Sequence, residues 1–245
     1  MLSKFRFLTA GESHGKCLSG IIDGVPSGFE IDLDFINNEL KRRQSGYGRG
    51  DRMRIESDEV EITSGVRFGK TTGAPICIEI QNKDFENWTE IMSVKKIASP
   101  EGKSFTKPRP GHADFAGAIK YDITDIRDVL ERSSARKTAI DVAIGAIAKQ
   151  ILNEFEIVCS SKILAIGNET DENKIIDKID SAKEQGDTLG GKFEVIFKNL
   201  PVGLGSHVQW DRKLDGLIAQ AVMSIPAVKS VEIGLGAECA NVLGS

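Results

Sequence analysis

The sequence predicts an α+β fold, a single domain over residues 1–245 of mixed, largely antiparallel sheet with buried helices. Three observations carry that reading. Apolar periodicity switches repeatedly between two and about 3.6 residues. The stretch 134–155 is rich in small residues (Ala135, Ala139, Ala143, Gly145, Ala146, Ala148), as in a helix packed on more than one side. No Pro/Ser/Gly-rich linker divides the chain.

Element by element, Phe5, Phe7 and Thr9 alternate with other side chains, and 18–25 is a second short apolar run. These predict two strands separated by the turn GESHG. Asp32 is a suitable N-cap for a helix with Leu33, Ile36 and Leu40 on its apolar face, ending before Gly46. Val60 and Ile62, and then Ile76, Ile78 and Ile80, alternate with polar or smaller residues and predict half-buried strands. Residues 82–111 are polar without a persistent period, which suits a lid or binding loop. After the 134–155 helix, 159–166 reads as strand and 171–185 as a charged surface helix stopped by Gly186. Phe193, Val195 and Phe197 then read as strand. Asp211 is expected to cap a last helix carrying Leu214, Leu217, Ile218 and Ala221, before a strand at Val231 and Ile233. Val25-Pro26-Ser27-Gly28 through Val60-Glu61-Ile62 resembles Leu200-Pro201-Val202-Gly203 through Val231-Glu232-Ile233, a weak hint of duplication.

Thirty-two basic and 36 acidic residues give a formal net charge of −4, so any anion site must be a local cluster. A composition 40% hydrophobic and 28% charged excludes disordered, collagenous and disulfide-scaffold classes. Cys17, Cys77, Cys159 and Cys239 form no C-x-x-C pair, so neither a zinc site nor a redox dithiol is expected, and no metal. The start MLSKFRFLTAGESHG is not a signal peptide, and the most apolar segment, 139–151, is broken by Asp141, Lys149 and Gln150. A soluble cytoplasmic protein without a membrane partner is expected.

Of three histidines, His14 lies in Gly11-Glu12-Ser13-His14-Gly15, where flanking glycines let another molecule approach the backbone. His112 lies in Arg109-Pro110-Gly111-His112-Ala113-Asp114, at the start of a predicted helix. Both suit acid/base work, against the alternatives of a satisfied loop histidine and an incidental capping residue. His207 has only a surface-loop setting. Lys41, Arg42, Arg43, Arg49, Arg52 and Arg54 form a basic cluster opposed only by Asp51. Arg42 and Arg43 also complement a helix C-terminus. The loop Gly46-Tyr47-Gly48-Arg49-Gly50 presents guanidinium groups suited to phosphate or carboxylate. The same loop is compatible with a non-catalytic anion-binding or single-stranded nucleic-acid-binding module, although aromatics are only 6% of the chain. Arg132-Ser133-Ser134-Ala135-Arg136 is expected at the start of the central helix, as an anion site or simply as a capped helix. Together these features point to a small, multiply anionic ligand and proton transfer.

The same residues resemble the chorismate synthase family along the whole chain. The matching motifs are GESHG with Asp23-Gly24-Val25-Pro26, RRQSGYGRGDRM, Ser64-Gly65-Val66, Thr72-Gly73-Ala74-Pro75, RPGHAD, ERSSARKTA and Pro226-Ala227-Val228-Lys229. The resemblance implies helices sandwiched between largely antiparallel β-sheets and a homotetramer. It implies a lyase of the shikimate pathway that forms chorismate from 5-enolpyruvylshikimate 3-phosphate by 1,4-elimination of phosphate, with reduced FMN as cofactor. It makes His14 and His112 the catalytic histidines. Ser13, Arg43, Arg49, Arg52, Arg109 and Arg136 become substrate contacts, and Arg132, Ser133 and Ser134 a flavin contact. Arg43 and Arg49 could also serve NADPH, if the protein reduces its own flavin. The small-molecule substrate leaves no role for nucleic acid. Against the family pattern the chain reads as the N-terminal two-thirds, truncated at Ser245 where later flavin-binding segments and an Arg-x-Asp motif should begin.

Overall fold

The computed structural model describes residues 4–49, 56–96 and 104–244. The chain divides into two compact units, Met1–Ile196 and Phe197–Ser245. Arg52 and Arg54 of the basic cluster lie outside the described residues.

The first unit opens with β1 (Arg6–Ala10) and β2 (Cys17–Asp23), paired antiparallel across the GESHG turn as the alternation predicts. Helix α1 (Leu33–Gln44) follows. The Asp32 side chain accepts the Phe35 N–H at 2.9 Å, so the predicted cap is the cap that forms. Ile36 and Leu40 are buried, whereas Leu33 is largely exposed, because a residue in the first turn overhangs the helix end. Strands β3 (Glu61–Ser64), β4 (Val66–Arg67), β5 (Lys70–Thr71) and β6 (Ile76–Gln81) complete the early sheet structure. A four-stranded antiparallel sheet runs in the order β1-β2-β6-β3. Next come the short helices α2 (Asp114–Tyr121) and α3 (Arg127–Ser133), then the central α4 (Thr138–Asn153). Strand β7 (Val158–Ile166) pairs with β8 (Gly191–Lys198), with α5 (Glu172–Glu184) between them in sequence.

Alternation sets the core. In β2, Leu18, Gly20 and Ile22 face inward opposite Ile80, Ile78 and Ile76 of β6. Onto that face pack Ile36 and Leu40 of α1 and Ala139, Ile140, Ala143, Ile144 and Ile147 of α4. Gly20 is where α4 comes closest: a Cβ there would stand 3.0 Å from Ile140 Cγ1 and 3.1 Å from Ile144 Cδ1. Each buried branched side chain contributes roughly 1.5–3 kcal/mol. Helix α4 also packs on α1 and β7, so its small residues do serve several neighbours. Gln150 locks the start of α1 to the end of α4: its Oε1 accepts the Asp32 N–H at 2.8 Å and its Nε2 donates to Asp32 O at 3.1 Å. Helices and antiparallel sheets together make the fold α+β.

Three expectations need correction. The 134–155 helix is shorter and interrupted. Ser134 is extended (φ −62°, ψ 146°), a 3-10 helix covers Ala135–Lys137, and α4 begins at Thr138. Arg132 and Ser133 therefore end α3 instead of opening the central helix. Asp211 does not cap the last helix: it lies inside the 3-10 helix Trp210–Arg212, capped by Gln209. Helix α6 (Leu214–Met223), in the second unit, starts from Lys213 without a side-chain cap. Val231 and Ile233 form no strand. The segment is irregular and leads into a 3-10 helix at Gly236–Ala240, since alternation without a neighbouring edge gives no ladder to join. The resemblance between the two Pro-Gly units stops there.

No helix among the described residues is long and apolar enough to cross a membrane.

Candidate active site

The GESHG turn is fixed from two directions. From β6, Asn82 lies just past the strand end and donates through Nδ2 to Glu12 O at 3.1 Å and to Gly15 O at 2.7 Å. From α3, Arg132 donates to Gly11 O at 3.1 Å and to Thr9 O at 2.8 Å, while Glu131 O accepts the Ser13 N–H at 3.0 Å. Ser13 is buried.

His14 is held on its ring edge and its face. The buried Glu131 carboxylate accepts the His14 main-chain N–H at 2.8 Å and lies 2.9 Å from Nδ1 through each of its oxygens. Trp88 stacks on the imidazole with centroids 4.0 Å apart and planes 25° apart. Asp84 accepts the Trp88 indole N–H at 3.1 Å and lies 3.9 Å from His14 Nε2. Arg127 donates to Glu131 Oε1 at 3.3 Å, and its guanidinium carbon is 5.2 Å from the Trp88 ring centroid. Burial acts most strongly on Glu131 and pushes its acidity down. The hydrogen bonds and charge of His14, with Arg127, outweigh it and hold the carboxyl below its ordinary range.

Beside this group, a cavity of about 430 Å³ is lined by Glu12, Met92, Asp125, Arg127 and Glu131 among others. Among the described residues, Arg127 Nε is a buried donor without a hydrogen-bond partner. The chain beyond residue 104 is tied to the same region by Phe105, whose N–H donates to Asp125 Oδ1 at 2.9 Å.

The RPGHAD segment makes a second compact unit of charge. Arg109 grips the fully buried Asp114 through Nε at 2.9 Å, Nη2 at 3.2 Å and its own main-chain N–H at 3.1 Å. The guanidinium hydrogen bonds hold Asp114 down to about 2, against the opposing effect of burial. His112 Nδ1 lies 3.1 Å from Arg109 Nη2 and 3.2 Å from Asp114 Oδ1. The hydrogen bond to Asp114 acts most strongly on Arg109 and raises it above the ordinary guanidinium value.

The arginines divide into two kinds. Arg136 is buried: it donates to Asp58 at 2.6 Å, to Asn82 Oδ1 at 2.8 Å and to Gln81 O at 3.4 Å, with Glu56 3.6 Å away. Arg43 donates to Asp58 at 3.3 Å, Thr138 Oγ1 at 3.1 Å and Ala135 O at 3.2 Å. Of the sequence's basic cluster, Arg43 thus joins an internal ion-pair network with Arg136 and Asp58. Arg49 is exposed and donates through Nε to Ser45 O at 3.1 Å. Its loop docks on α5, where Tyr47 donates to Asp180 at 2.8 Å. His207 is exposed.

The expected flavin contacts were tested on their donor sets. Arg132 donates to Gly11 and Thr9, the Ser133 hydroxyl to Val129 O at 2.8 Å, and the Ser134 hydroxyl accepts the Arg136 N–H at 3.3 Å. These bonds use the Nη atoms of Arg132 and the hydroxyl hydrogen of Ser133, and they leave the Ser134 hydroxyl its hydrogen. Among the described residues, no group of three or more His, Cys, Asp or Glu side chains is placed to hold a metal ion.

Sequence reasoning missed Glu131, Trp88, Asp84, Asn82, Asp58 and Glu56. Glu131 begins the ERSSAR motif, and Trp88 is one of only two tryptophans, set in the polar 82–111 stretch. Those were the available signals.

The comparisons with known proteins agree with the motif reading. The family model described as chorismate synthase matches residues 5–245. The chorismate synthase of Thermoanaerobacter pseudethanolicus is 57% identical over 240 residues, 98% of this chain and 66% of that relative. The chorismate synthase of Aquifex aeolicus is 49% identical over 279 residues, all of this chain and 70% of that relative. A crystal structure of chorismate synthase superposes with a TM-score of 0.81 and 41% identity, covering 100% of this chain and 72% of the other. The chain spans about two thirds of the length of these relatives. The matches give no support to a nucleic-acid-binding module. From its motifs, fold and relatives, the chain belongs to the chorismate synthase family.

Proposed function

We propose that this protein carries out the family reaction, the 1,4-elimination of phosphate from 5-enolpyruvylshikimate 3-phosphate to give chorismate. The C–O bond to phosphate breaks with its electron pair leaving on oxygen. A C–H proton is lost, and a second ring double bond forms. The observation that carries the reading is the pair of histidines, His14 on Glu131 and His112 on Arg109, each with Nδ1 held by a charged side chain. An elimination that releases a proton and an anion needs one group to accept and another to donate.

In this reading His112 Nε2 meets the departing phosphate, with Arg109 beside it as a fixed positive charge, while His14 handles the proton at Nε2. Arg49, exposed on its loop, binds a carboxylate or phosphate bidentately. Arg52 belongs to the same loop sequence. Arg43 and Arg136, held by Asp58, act from beneath by fixing the α3–α4 junction and Asn82, and so the GESHG turn. Ser13 contributes through its buried place in that turn. The family's reduced FMN, which supplies transient electron density to the substrate, is part of the proposal. So are NADPH as its reductant at Arg43 and Arg49, the contacts of Arg132, Ser133 and Ser134 with the flavin, the single-domain organisation, a homotetramer and a cytoplasmic location.

The test is chorismate release from the phosphorylated substrate by the full-length protein, with chemically reduced FMN under anaerobic conditions. Phosphate and chorismate should appear in equal amounts. Perturbed flavin absorbance without chorismate would reduce the proposal to flavin binding, and neither signal would remove it.

A further inference from the structure

Asn82 stands at the N-cap of the 3-10 helix Lys83–Asn87, a position where an asparagine side chain ordinarily accepts one of the helix's own first N–H groups. Here it caps nothing, and the Lys83 N–H donates to Glu56 Oε2 at 3.1 Å. The amide is turned instead toward the GESHG turn. Nδ2 gives one hydrogen to Glu12 O at 3.1 Å and the other to Gly15 O at 2.7 Å, bracketing the residues that include His14. Oδ1 accepts Nε of the buried Arg136 at 2.8 Å. Carbonyl oxygens only accept and a guanidinium only donates, so a flipped amide would set like against like at all three contacts. The group stands one way round.

The main chain of the same residue serves the other side of His14. Asn82 N–H donates to Lys16 O at 3.1 Å, just beyond the last β2–β6 pair, Cys17 and Gln81. Asn82 O accepts the Phe85 N–H at 3.1 Å and so opens the 3-10 helix that contains Asp84 and is capped by Trp88. Trp88 stacks on the imidazole, and Asp84 lies 3.9 Å from His14 Nε2 while accepting the indole N–H. One buried residue therefore fixes both the turn that carries His14 and the helix that lies against its ring.

We propose that Asn82 is a positioning residue for His14, setting the imidazole in register with Trp88 and Asp84 before substrate arrives. Its bearing on turnover rests on the proposed function, whereas the placement does not. Glu131 and Arg132 hold the turn from α3, so loss of the Asn82 bonds shifts the ring without freeing it. A misplacement of about 1 Å near the chemistry lowers turnover by up to roughly a hundredfold.

The test uses the full-length protein. By NMR, both side-chain amide hydrogens of wild-type Asn82 should be protected from solvent exchange. The ring C–H signals of His14 should be displaced by the Trp88 ring current from those of the exposed His207. Asn82→Asp and His14→Gln assign the signals. Asn82→Asp keeps the size of the side chain and its contact with Arg136, but sets a carboxylate against two carbonyl oxygens. It should move the His14 signals toward those of His207 and lower kcat by at least about tenfold, with KM changed less than about threefold. Gln150→Ala is the control. It removes two amide hydrogen bonds between the start of α1 and the end of α4, and should lower the urea midpoint while kcat stays within about twofold. Rapid exchange of the Asn82 amide or an undisplaced His14 signal in the wild type would overturn the inference, whether or not any variant folds. So would a kcat for Asn82→Asp no lower than that for Gln150→Ala, or a loss confined to KM. A wild-type protein with His14 placed as expected but no chorismate release would remove the function and keep the placement. Chorismate release with an unprotected Asn82 amide would do the opposite.

Discussion

Asp58 accepts Nη1 of Arg136 at 2.6 Å, and both side chains are buried. Its other oxygen takes Arg43 at 3.3 Å, so one carboxylate ties the end of α1 to the junction before α4. Arg136 also holds Asn82, and Asn82 holds the histidine-bearing turn. Much of the positive charge that looks ligand-ready in sequence is scaffold.

Removing that carboxylate leaves the buried guanidinium of Arg136 without its nearest counter-charge. Asp58→Ala should cost about 3–5 kcal/mol of stability, because the surviving partners of a broken buried pair cannot be resolvated. By contrast, Asp23→Ala, which breaks the exposed ion pair with Arg6, should cost less than about 1 kcal/mol. Urea unfolding of both variants, compared at equal slopes, checks the difference. Similar costs would mean that the Asp58 site is not dry.

Asp114 makes stability depend on acid. Its carboxyl is held to about 2 in the fold against an ordinary 3.8, so the folded state favours the ionised form. That contribution is fully present above about pH 4 and disappears as pH falls toward 2. The stability gap between wild type and Asp114→Asn should therefore be flat from pH 7 to about 5 and narrow below 4. A gap that widened on acidification would contradict the Arg109–Asp114 assignment.

Turnover should separate the three histidines. His14→Ala and His112→Ala are each expected to lower it by roughly 10²–10⁴-fold, with modest effects on substrate affinity. His207→Ala, exposed and outside both groups, should be near neutral. Steady-state rates of chorismate release give the answer, and wild-type turnover in either of the first two variants would remove that histidine from the mechanism.

Arg49 should act through binding. Loss of a bidentate charge-assisted contact costs about 1.5–3 kcal/mol, or roughly ten- to a hundredfold in affinity, and lysine recovers little of it. Substrate titration of Arg49→Lys tests this, with unchanged affinity assigning the side chain to solvent.

The loop carrying Arg49 depends on a glycine. Gly48 has φ +75°, and a Cβ there would lie 2.6 Å from Ile179 Cγ2 of α5. Gly48→Ala should lift the loop from that helix, weaken substrate binding and cost about 1 kcal/mol or more of stability. Proteolysis within 45–49 should rise in parallel; an unchanged cleavage rate would count against the docking.

The elements that local rules could specify were legible in the sequence. Alternation in 5–9 and 76–80 marked two strands that each pair with β2, Asp32 capped α1, and the small-residue stretch became the helix that packs on several neighbours. The motifs led to the family and to both histidines. Local pattern failed where a second partner decides: Val231 and Ile233 alternate yet form no strand, and Ser134 interrupts what periodicity reads as one helix. The site failed to be legible for the same reason. Glu131 meets His14 across 117 residues, and Arg136 meets Asp58 across 78. Charge and spacing determined which residues are capable of proton transfer and anion binding. Only tertiary structure decided which arginines face inward and which nitrogen of each histidine is held, because hydrogen-bond direction and burial are properties of groups brought together from distant parts of the chain.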